Sequence, residues 1–397
     1  MKMEAHMNMG TMGMSPISSS WSTTTPRLPF LHHLLLIFAV ASDMDDRWPM
    51  VERRGPHLWA SGRPFIIHGF NTYWLMSFAA DEATRPRIAK QFIAYYWLWQ
   101  SCVVHAMQLM ISFLLCMPSK ALILLLPKST FSQLDAYQRL HVPNSLHLFE
   151  ALNFCLFSLQ VTDIWFPFHF AVVTRINTIT NEAYSGDPTI LAWELINEPR
   201  CPSDPSGDTL QAWIEEMASY VKSIDPVHLV EVGLEGFYGP STPALLLVNP
   251  DDYSGHAGID FIRNHQALGI DLASVHIYSD TWLPHSIKED HLQFVNTWMQ
   301  QHIDDAVNLL GMPVLIGEFG VSLKDGKFGK EFREDFIETV YRIFLSSWKG
   351  GVVGGGCLLW QLFPEGAEHM DDGYAVIFAK SPSTLSLLSN HSRNLEF

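Results

Sequence analysis

Two apolar segments of this chain each end in a glutamate. Trp193-Glu194-Leu195-Ile196-Asn197-Glu198-Pro199 runs from apolar residues into a polar pair and is stopped by proline; Val314-Leu315-Ile316-Gly317-Glu318-Phe319-Gly320 repeats the arrangement. A carboxylate carried on a buried strand is costly unless it is hydrogen-bonded or used. One such strand end is equally well read as an exposed acid, but two in one chain favour a shared task. A pair of carboxyl groups can divide the work of glycoside cleavage. One protonates the leaving oxygen and later activates water, while the other attacks the anomeric carbon, which in a retaining reaction puts them about 5 Å apart. On this reading Glu198 and Glu318 are the candidate catalytic residues, and Asn197 is placed to bond a sugar 2-hydroxyl. Mutual repulsion and partial burial are expected to raise the pKa of the acid.

The elements around them have the alternation of a parallel sheet. A hairpin is predicted through His57-Leu58-Trp59 and the turn Ser61–Pro64 into a first buried strand, Phe65 to Asn71, and a helix over Asp81 to Phe92. Further strands are predicted at Ile190–Ile196, Val227–Gly233, Ile270–Tyr278, Pro313–Gly320 and Gly356–Leu362, with helices at Thr209–Ile224, His291–Leu310 and Lys330–Trp348. Leu210, Trp213, Ile214, Met217, Tyr220 and Val221 make a clear i, i+3, i+4 stripe on the first of these helices. Strand–helix units in series predict an α/β fold, and in a (β/α)8 TIM barrel the C-terminal strand ends face the substrate.

Composition narrows the partners. At 397 residues and 48% hydrophobic the chain suits one large domain, and its net charge of −16 without a basic run argues against nucleic acid and anionic lipid. The five cysteines have neither zinc-ligand spacing nor the density of a disulfide framework, so neither a cysteine zinc site nor a disulfide-stapled fold is indicated. Most of the 13 tryptophans are read as core, a few as platforms for sugar faces.

Two segments stand apart. Arg27 precedes an apolar run, Leu28 to Ala41, ending in a small-x-small pattern, so residues 1–41 are expected to be a secretory signal with a long n-region, and the protein to be secreted to the extracellular, cell-wall space. An Asn390-His391-Ser392 sequon accords with that. The run Ile93 to Met117 has no charged residue, and the apolar character continues to Pro127. It is long enough to span a bilayer, but Gln100, His105 and Gln108 and the enzyme-like pattern on both sides equally suit an unusual buried segment or translated intron sequence.

The paired motifs resemble those of glycoside hydrolase family 5 in clan A, and the closer resemblance is to plant-type endo-β-1,4-mannanases. It is carried by Gly69–Met76, Asp187–Glu194, Glu231–Gly239 and Trp360–Gly366 and covers most of residues 48–92 and 142–397. The resemblance implies a catalytic domain over 48–397 and a (β/α)8 barrel without metal or cofactor, acting as a monomer on β-mannan. It also implies Glu198 as acid/base and Glu318 as nucleophile. His276 and Tyr278 would lie beside the two carboxylates, Trp360 would floor the sugar site, and Trp74, Trp282 and Tyr73 would be stacking candidates. Glu235 is open between cleft rim and exposed loop. Family members end their second strand in a C-R-T-W-like motif whose arginine keeps the nucleophile ionised; this sequence has none, so the barrel is expected to be incomplete or distorted around strands 2 and 3, and Glu318 to have a raised pKa. An inactive glycan-binding relative and a β-1,4-glucanase are the alternatives, since the carboxylate pair alone does not distinguish C2 epimers.

Overall fold

The computed structural model describes residues 49–72, 162–177, 181–324 and 326–395. In chain order its elements are β1 (Val51–Arg54), β2 (His57–Ala60), β3 (Arg63–Phe70), α1 (Thr162–Val173), β4 (Ala192–Glu194), α2 (Asp208–Ile224), β5 (Leu229–Glu231), α3 (Phe261–His265) and β6 (Ala273–Ile277). There follow α4 (Ser279–Trp282), α5 (Lys288–Asp305), β7 (Val314–Phe319), α6 (Lys330–Lys349), β8 (Gly355–Leu359), β9 (Leu362–Phe363), β10 (Val376–Ile377) and α7 (Pro382–Leu395).

The predicted hairpin is present: β2 pairs antiparallel with β3 across Ser61 and Gly62, both at positive φ (49° and 73°), the turn conformation that matches strand twist. From β3 the sheet turns parallel, through β8 and β7 to β6. A second parallel pair, β4 and β5, joins β6 by irregular bonds: Asp271 N–H to Val230 O (2.8 Å), His276 N–H to Glu235 O (3.0 Å) and Leu234 N–H to the Ser274 hydroxyl (2.8 Å). The order among the described residues is therefore β3-β8-β7-β6-β5-β4, six parallel strands. The distortion expected around strands 2 and 3, the Asp81–Phe92 helix and the segment 93–127 all concern residues outside the described ones. The expected signal over residues 1–41 also lies outside them.

Alternation along the strands sorts the side chains into two cores. Ile67, Leu229, Leu272 and Leu315 meet on one side of the strands, where Leu58 of the hairpin packs against them. Leu195, Val230, Val275, Ile316 and Leu359 face the other way and join Ile214, Met217, Trp298, Phe336 and Val340 of the helices. Strand β8 is squeezed between its neighbours. A Cβ on Gly355 would lie 1.9 Å from the Val314 carbonyl oxygen and one on Gly356 1.9 Å from that of Ile67, which is why a glycine run opens this strand.

Helices α2 and α6 match their predicted spans within one residue. The Lys288 helix begins ahead of its predicted start at His291, and its last turn, Ala306–Leu310, is π-helical before Gly311 (φ 60°) ends it. Helix α7 was not predicted, although Thr384, Leu388, His391, Ser392 and Leu395 form its buried stripe. No helix among the described residues is long and apolar enough to cross a membrane.

Candidate active site

Glu198 lies in the segment that follows the end of β4 at Glu194, just before Pro199, and it sits at φ 46°, a left-handed conformation that a non-glycine residue adopts at a cost. Its backbone N–H bonds the carbonyl of Gly233 after β5 (2.8 Å). Gly233 itself is at φ 82°, and a Cβ there would stand 2.4 Å from Ile196 O and 2.7 Å from Glu194 Oε1. Only glycine lets the β5 end approach this closely. Glu318 lies near the end of β7, where a register irregularity between β6 and β7 sets it beside His276.

The two carboxylates and an imidazole meet at the strand ends. His276 Nδ1 is 2.8 Å from Glu198 Oε1 and 3.8 Å from Glu318 Oε2, and these donor atoms all lie within 4.8 Å of one another. The separation matches the retaining geometry rather than the wider inverting one. Tyr278 donates its hydroxyl to Glu318 Oε2 (2.5 Å), and Trp298 of α5 fixes the strand by donating Nε1–H to the His276 carbonyl (3.1 Å). Asn71, at the end of β3, donates its amide to Gly317 O (2.8 Å) beside the nucleophile position. Trp360 follows β8, half-buried, with its indole N–H on Asp372 (3.1 Å).

The protonation pattern differs in one respect from expectation. Burial raises Glu318, and repulsion by Glu198 adds to it against the pull of His276 and Tyr278, leaving it at about 8. Glu198 is lowered rather than raised: burial opposes its charge, but the hydrogen bond and charge of His276, with Arg200 3.9 Å away, outweigh it. Burial works against the charge of His276 too, yet Glu318 and Glu198 lift it to about 10. The pair therefore retains one proton through neutral pH, resting on Glu318. That accords with the missing arginine motif, since no guanidinium of the described residues lies against Glu318.

Other sequence-derived candidates divide. Asn197 immediately precedes Glu198 and is half-buried. Trp282 packs in an aromatic cluster with Phe237, Tyr278 and Trp298, so much of its face is committed to protein. Glu235 is neither a rim acid nor an exposed loop residue; it is buried and held by Arg200, whose Nε lies 2.9 Å from Oε2 and whose terminal nitrogen contacts the other oxygen. Trp74 and Tyr73 lie outside the described residues. Sequence reasoning missed Arg200, whose place directly after Pro199 was its one signal. It also missed Asn71 and Asp372, and the carboxyls of exposed Glu194 and buried Glu231, which are register partners on β4 and β5.

Parallel strands with paired glutamates at their C-terminal ends define a barrel glycosidase. A family model described as GH family 5 beta-mannosidase-like matches residues 157–367. Mannan endo-1,4-beta-mannosidases 7 and 8 of Oryza sativa subsp. japonica are 66% and 65% identical to this chain, over 88% and 87% of it and 98% and 100% of their own lengths. The endo-1,4-beta-mannanase structure from Rhizomucor miehei superposes with a TM-score of 0.61 at 20% identity, over 87% of this chain and 98% of that one. The chain belongs to glycoside hydrolase family 5, and its fold is the (β/α)8 barrel.

Proposed function

We propose that the protein hydrolyses internal β-1,4-mannosidic linkages of mannan, galactomannan or glucomannan with retention, Glu318 acting as nucleophile and Glu198 as acid/base. The observation that carries this reading is the Glu198–His276–Glu318 constellation, with its donor atoms within 4.8 Å at the ends of parallel strands. The names of the rice relatives supply the substrate class. In the first step Glu318 Oε bonds the anomeric carbon as the glycosidic C–O bond breaks, and the leaving oxygen takes a proton from Glu198. In the second, Glu198 takes a proton from water, whose oxygen displaces Glu318. The reactive state needs an ionised Glu318 and a protonated Glu198, the same proton count as the resting pair, and His276 bridges the two oxygens between which that proton must shift. Asn197, Trp360 and Trp282 are proposed to bind sugar at this end of the barrel, as is Trp74.

Secretion belongs to the same proposal, supported by the Leu28–Ala41 run behind Arg27. The test is turnover of galactomannan by folded protein, with β-1,4-glucan as the comparison. Glu318→Ala abolishing oligosaccharide release supports the assignment. Release that persists in that variant, or glucan cleaved in preference to mannan, overturns it.

A further inference from the structure

We propose that Glu198, His276 and Glu318 also form a binding site for a divalent transition-metal ion, Zn2+ being the probe of choice, and that a metal held there blocks the site to sugar. The blocking half rests on the mannan-hydrolase reading; the binding half does not.

The donor geometry carries the proposal. A tetrahedral zinc ion with nitrogen and carboxylate oxygen at about 2.0–2.2 Å spaces its ligand atoms roughly 3.3 Å apart. The His276 Nδ1–Glu198 Oε1 and His276 Nδ1–Glu318 Oε2 edges, 2.8 and 3.8 Å, straddle that value, and the third edge is within 4.8 Å. One imidazole nitrogen with two carboxylates is a mixed donor set suited to zinc or copper rather than to magnesium or calcium. Three protein ligands leave a fourth position for water.

The surroundings favour a dication over an empty triad. Beside Glu198 and Glu318 stand Glu194, Glu231 and Glu235, and His276 and Arg200 oppose them among the described residues. The ligands are also pre-positioned. Trp298 holds the His276 backbone, Tyr278 bonds Glu318, and Gly317 leaves space beside the imidazole, where a Cβ would come within 3.3 Å of Nε2. Coordination would replace the proton that Nδ1 and the carboxylates share, and would occupy the lone pairs that the hydrolytic reaction needs.

Calorimetric titration of the full-length protein with ZnCl2 in chelator-free buffer tests binding directly. We expect one ion per chain and, by analogy with the cost of disturbing a metal site, an affinity loss of at least about tenfold in Glu318→Gln and in the more exposed Glu198→Gln, each checked for folding by circular dichroism. With galactomannan as substrate, ZnCl2 should raise KM and leave kcat unchanged, and EDTA should reverse the effect. Absence of binding heat, or a zinc affinity the same in wild type and every folded variant, overturns the proposal even if the mannan activity stands. Zinc binding that depends on both glutamates in a protein without metal-free mannan turnover keeps the metal site and removes the mannan reading.

Discussion

At the scale of single residues, the functional question is where one proton sits. Burial and Glu198 push Glu318 up to about 8, while His276 and Arg200 hold Glu198 down. With a raised pKa on one member, the pair keeps its proton below pH 8 and loses it above, and without that proton Glu198 has nothing to give the leaving group. We therefore expect kcat/KM on mannan to fall as pH rises through about 8; a profile level to pH 9.5 would contradict this assignment. Removing the acid alone should be partly compensated by substrate chemistry. Glu198→Gln should lose about 10²–10⁴-fold in kcat on mannan but much less on an aryl mannoside whose phenolate leaves unaided. Equal losses on both substrates would sink the acid role.

At the scale of elements, the site depends on where β4 and β5 touch and on the helix behind β6. Gly233→Ala places a methyl group into Ile196 O and Glu194 and forces an L-residue to φ 82°, so we expect at least about 1 kcal/mol of destabilisation. Because the Gly233 carbonyl receives the Glu198 N–H, kcat should fall as well. A variant with wild-type melting temperature and wild-type kcat would show that the close approach is not needed. Trp298→Phe tests α5: it keeps most of the apolar volume but leaves the His276 carbonyl without its indole donor, at a cost of about 1–3 kcal/mol in chemical denaturation.

At the scale of the whole molecule, the barrel interior grades from an apolar floor around Leu58 and Leu315 to a carboxyl-rich layer beneath the reactive pair. Glu231 lies in that layer with its pKa raised from 4.5 to about 8, so the folded state binds more protons than the unfolded one between those values. Its contribution to stability is therefore full below pH 4.5 and is lost progressively as pH rises to about 8. His276, raised from 6.5 to about 10, is present in both proteins of the comparison and largely cancels. Glu231→Gln should accordingly melt at a temperature close to wild type at pH 4.5 and above wild type at pH 8, and a gap that does not widen with pH would refute the charge-crowding account.

Much of this was legible in the chain. Trp193–Pro199 and Val314–Gly320 announced two strands ending in acids because a carboxylate after an apolar run is a local, one-dimensional signal. The Thr209 and Lys330 helices were legible because a buried stripe repeats within a few residues. Helix α7 escaped because its short stripe carries Thr384, His391 and Ser392, polar residues that only the finished packing buries. The direction of the Glu198 shift escaped for a related reason. Its cause is His276, 2.8 Å away in space and far away in sequence, together with an Arg200 whose reach toward Glu198 is set by its grip on Glu235. The sequence by itself determined which groups are available for chemistry and the strand ends that carry them. The tertiary structure decided which of them lie within contact of one another, and with that which carboxyl keeps the proton, because charge–charge energies follow distance and burial rather than order along the chain.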